Sequence, residues 1–90
     1  MELNKARIEK LAVTIYNGIG KELSKCEDNY QVNSVEFTIA LAQAAKGALL
    51  SGLEATKALE QMSATKWINA FGNMMFFDID KNIEIAKGTK

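Results

Sequence analysis

Apolar residues recur at three- and four-residue spacing through the first third of the chain, which is the period of an amphipathic helix. The positions that share this face are Ile8, Leu11, Ile15, Ile19, Leu23 and Cys26. We expect a first helix from about Lys5 to Cys26, with Asn4 as its N-cap and this stripe buried. Gly18 and Gly20 weaken the helix and indicate either a kink or a place where a partner comes close.

A second helix is predicted after a polar loop at residues 27–32. Asn33 and Glu36 have the spacing of a capping box, in which each side chain bonds the backbone N–H of the other residue. Apolar residues then surround almost the whole predicted helix: Val35, Phe37, Ile39, Ala40, Leu41, Ala42, Ala44, Ala45, Ala48, Leu49 and Leu50. Such a helix is buried on several sides, and a 90-residue chain has few other helices to cover it. We therefore expect another subunit to cover part of its surface.

Small residues form a row along this second helix. Ala40, Ala44, Ala48 and Gly52 are four residues apart, so they lie on one helix face. A row with almost no side chain, called the ridge below, lets another helix approach very closely. We predict that the ridge is an oligomer interface.

The end of the second helix has two interpretations. Gly52 followed by Leu53 is typical of a C-terminal cap. Alternatively, the spacing of Leu53, Ala58 and Met62 continues one long helix to Met62.

Ser63 predicts the N-cap of a further helix. Its apolar face comprises Trp67, Ile68, Phe71, Met74 and Met75. The tail suits either a short helix capped by Asp78 or a small hairpin around residues 80–82. We favour the helix, because an isolated hairpin is only marginally stable.

Composition agrees with helices throughout. The chain is 48% hydrophobic and contains no proline, and its alanine content favours helix over strand. We expect one domain, residues 1–90, with an all-α fold. This small helical bundle of three to five helices would be completed by homo-oligomerisation, because so short a chain buries a limited core alone.

The charge balance and the scarcity of histidine and cysteine argue against several classes of function. Lysine plus arginine and aspartate plus glutamate number 11 each, and Arg7 is the single arginine, so we expect neither duplex nucleic acid nor a membrane as partner. The absence of histidine removes the commonest general base and metal ligand. Cys26 is alone, which excludes an internal disulfide and a cysteine zinc cluster. We expect no catalytic residues, metal or cofactor, and a soluble cytoplasmic protein without a signal peptide.

Lys46 is the one charged residue between Glu36 and Glu54. It either extends its ammonium to water along an otherwise buried helix or presents a cation to an anionic ligand at a cleft. Tyr30, in the preceding loop, could stack on a base or close such a cleft.

These residues carry a family resemblance. The run Ile39-Ala40-Leu41 followed by Lys46, with Tyr30 upstream and Lys66-Trp67 downstream, resembles the phage anti-CBASS cyclic-oligonucleotide sponges. Members of that family are small helical proteins that assemble as hexamers and sequester the messengers of bacterial antiphage signalling. The resemblance implies that Tyr30 and Lys46 are ligand contacts.

Two binding functions therefore stand ahead of an enzyme. The first is a small oligomeric phage or bacterial inhibitor or adaptor that acts on a protein partner. The alternative is a sponge that sequesters small anionic nucleotides. A DNA-binding helix-turn-helix across Met62–Phe77 is disfavoured by the neutral charge and the scarcity of arginine.

Overall fold

The computed structural model describes residues 2–25 and 33–88, and every regular element in these ranges is helical. Helix α1 is Lys5–Ser24, α2 is Ser34–Ala55, α3 is Ala64–Met74 and α4 is Ile79–Gly88. A 3₁₀ turn, Ala58–Glu60, lies between α2 and α3. The described part of the chain contains no strand, and the prediction of an all-α fold with three to five helices is confirmed.

The first two helices begin where their capping residues predict. The Asn4 side chain accepts a hydrogen bond from the backbone N–H of Arg7 at 3.0 Å. The Asn33 side chain accepts from the N–H of Glu36 at 2.8 Å, and the Glu36 carboxylate accepts from the N–H of Asn33 at 3.3 Å. The capping box is therefore present in full, and it satisfies backbone donors that the first turn leaves unpaired.

The last two helices also begin at their predicted caps. The Ser63 hydroxyl accepts from the N–H of Lys66 at 3.3 Å, and the Asp78 carboxylate accepts from the N–H of Lys81 at 2.8 Å. The tail is a helix, as favoured, and not a hairpin.

The end of α2 differs from both sequence interpretations. The helix passes Gly52 and ends at Ala55, so it neither stops at the glycine nor continues to Met62. The Thr56 hydroxyl donates to the carbonyl oxygen of Gly52 at 2.9 Å, and the following Lys57 adopts a left-handed conformation with φ 60°. This conformation usually belongs to glycine, so a lysine there gave no signal in the sequence.

Residue contacts divide the chain into two units. The first comprises Met1–Asn29 with Met74–Lys90 and contains α1 and α4. The second is Tyr30–Asn73, in which the 3₁₀ turn packs against the end of α2.

Within the first unit, the apolar stripe of α1 is not buried as predicted. Leu11 and Ile15 are 60% and 54% exposed, and Ile19 is 41% exposed. Helix α4, which contacts α1, has 10 residues against the 20 of α1, so it cannot cover the whole length of the stripe.

Candidate functional site

The exposed surface of α2 is the candidate site. Leu53 is the buried residue of this 22-residue helix, and Ala45, Leu49 and Leu50 are half-buried on the same side. All four ridge residues, Ala40, Ala44, Ala48 and Gly52, are exposed. At 3.6 residues per turn, Ala40, Ala44 and Ala48 lie on the side of α2 away from Leu53, and Gly52 lies on the flank, about 100° from Leu53.

The space around two glycines shows how closely other atoms approach the ridge. Apart from the adjoining residues and backbone of α2 itself, a Cβ atom built on Gly52 would meet no atom within 4 Å, and the same holds for Gly47 beside the ridge. The other described elements of the second unit therefore leave the ridge open, and they do not make the close helix contact expected from its small residues. An oligomer interface at the ridge stays a prediction.

Two large apolar residues share the ridge side of α2, which the sequence analysis overlooked. Phe37 and Leu41 precede Ala44 and Ala48 at spacings of four, three and four residues. They are 43% and 40% exposed. The resulting surface, called the ridge face below, has large side chains near the N-terminus of α2 and small ones near its C-terminus. The three- and four-residue spacing that runs back from Ala48 to Leu41 and Phe37 is the signal in the sequence that indicates the ridge face.

Lys46 lies on the opposite side from the ridge face. It precedes the buried Leu53 by seven residues, about two helical turns, yet its side chain is exposed. Among the described residues, its ammonium makes neither an ion pair nor a hydrogen bond. The Lys46 cation, in a stretch of α2 without other charged residues, is thus accessible to an anionic molecule. Tyr30, its predicted companion, lies outside the described residues, as does Cys26.

The closest ionic arrangement of the described residues joins α1 to α4. The ammonium of Lys5 lies 3.0 Å from each carboxylate oxygen of Asp80 and 3.7 Å from Glu9. The hydrogen bond and the negative charge of Asp80 raise the pKa of Lys5 above its ordinary value, and the more distant charge of Glu9 adds to the effect. This contact links the first turn of α1 to the first turn of α4.

The described residues do not include a group of side chains suited to binding a metal ion. No group of three or more cysteine, aspartate or glutamate side chains among them is placed to hold an ion. The described helices are also too short or too polar for any of them to cross a membrane.

Comparison of this chain with protein families, with curated proteins and with solved structures gives no match.

Proposed function

We propose that this chain is a non-enzymatic helical binding protein that acts as a homo-oligomer, and that α2 pairs with α2 of a second copy through the ridge face. The observation that carries the proposal is the exposure of this face on the side of α2 away from Leu53. Contiguous apolar surface of this kind is typical of protein interaction sites.

The order of residue sizes favours an antiparallel pair. A two-fold axis near Ala44 brings Phe37 of each copy against Gly52 of the other, and Leu41 against Ala48. Each large side chain then fills the space that a small residue leaves, as close packing requires. A parallel pair would set Phe37 against its own counterpart and leave voids beside Ala48 and Gly52, and voids cost stability.

Cysteine cross-linking tests the direction of pairing. In a Cys26→Ser background, Phe37→Cys and Gly52→Cys chains are oxidised separately and as a mixture, and the products are weighed by mass spectrometry. A disulfide needs Cα atoms about 4.4–6.8 Å apart. The antiparallel pair predicts a mixed dimer from the mixture and little product from either chain alone, because each residue then lies about 22 Å along the helix axis from its own counterpart.

Two controls complete the experiment. Ala44→Cys lies near the proposed axis and should cross-link to itself, whereas Gln43→Cys, off the ridge face, should not. Disulfide dimers from Phe37→Cys alone and Gly52→Cys alone would overturn the antiparallel arrangement but retain the oligomer. A single species of 9.9 kDa by light scattering at micromolar concentration would overturn the oligomer itself.

A protein partner is the leading target of the proposed oligomer. The support is the exposed apolar stripe of α1, which contains Leu11, Ile15 and Ile19 and is separate in sequence from α2. A protein target is consistent with an inhibitor or adaptor, because such a protein acts by binding its partner and catalyses no reaction.

A sponge for cyclic oligonucleotides is the second candidate. It is supported by Lys46, whose exposed ammonium lies away from the ridge face and would stay accessible when two α2 helices pair. An ammonium is a point charge that binds phosphate oxygens.

A further inference from the structure

We draw no further inference here: the strongest candidate, the exposed apolar patch Met75, Phe76 and Phe77 between α3 and α4, carries none because nothing in the structure shows what covers it.

Discussion

The indole Nε1 of Trp67 donates a hydrogen bond to the backbone carbonyl oxygen of Ala58 at 3.1 Å. Ala58 is buried at the start of the 3₁₀ turn, and its carbonyl also accepts from the N–H groups of Gln61 and Met62. One side chain of α3 therefore fixes the turn that follows α2. Buried tryptophan typically pairs its N–H in this way, with the rest of the ring packed on apolar neighbours.

Replacing Trp67 with Phe should lower the free energy of unfolding by about 1–2 kcal/mol. The change removes one hydrogen bond and some buried ring area, while Ala58 keeps its two backbone donors, so no acceptor is left unpaired. Chemical denaturation followed by circular dichroism measures the loss. Phe76→Leu is the control, because Phe76 is 81% exposed and should shift the midpoint little. Equal losses in the two variants would show that the Trp67 contact contributes nothing.

Local signals predicted the beginnings of the helices. The features that could not be predicted depend on an unusual backbone conformation at one residue and on contacts between distant residues. A cap such as Asn33 with Glu36 acts over three residues, so its spacing is visible in the sequence. The end of α2 depends on Lys57, a residue type that rarely adopts its left-handed conformation. The ridge was found from its spacing, but its exposure depends on which other helices reach α2. The exposure of Lys46 could likewise not be derived, because it depends on the neighbours of one helix side.

Lys57→Gly should stabilise the protein by about 1 kcal/mol. Glycine adopts φ 60° without the steric cost that a Cβ atom imposes, although it also gains freedom in the unfolded chain. The matched control is Lys46→Gly, the same exchange inside α2, which should destabilise by about 1 kcal/mol. The melting temperatures of the two variants should therefore shift in opposite directions from that of the parent. A lower melting temperature for Lys57→Gly would contradict the left-handed conformation.

The pKa of Lys5 should fall toward 10.5 when Asp80 is replaced by Asn, because the main cause of its elevation is removed. Glu9→Gln should lower it by less. NMR titration of the lysine side chain measures both changes. A raised folded pKa means that the stabilisation is fully present below pH 10.5 and is lost as the pH rises through the folded value. An unchanged Lys5 titration in Asp80→Asn would refute the ion pair.

Ala48→Leu should weaken the proposed oligomer by about 1–3 kcal/mol, because a larger side chain overpacks a close helix contact. Within one chain Ala48 is exposed, so the added atoms meet nothing that would unfold a monomer. Gln43→Leu, off the ridge face, should be mild by comparison. The dissociation constants come from sedimentation equilibrium, and the melting temperatures should depend on protein concentration. The same constant for Ala48→Leu and the parent would exclude a close approach at the ridge.

Lys46→Ala should abolish binding of a cyclic oligonucleotide if the sponge proposal is correct, while the helix stays stable. Lys46 makes no ion pair within the described residues, and alanine is the better helix former, so stability should be unchanged or slightly higher. Calorimetric titration of the parent and the variant with a panel of cyclic di- and trinucleotides measures the difference. Lys10→Ala is the control, because it removes an exposed cation from α1 instead.

The outcomes of that titration distinguish between the two proposed functions, and they test separately whether Lys46 is the ligand contact. No heat from the parent with any nucleotide would discard the sponge and leave a protein as the target. Heat that survives in Lys46→Ala would keep the sponge and discard Lys46 as its contact. Heat lost equally in Lys46→Ala and Lys10→Ala would indicate attraction by overall charge, which a rise in salt concentration would also remove. Only loss confined to Lys46→Ala supports a phosphate contact at this position, because a side chain that merely extends to water contributes to no binding.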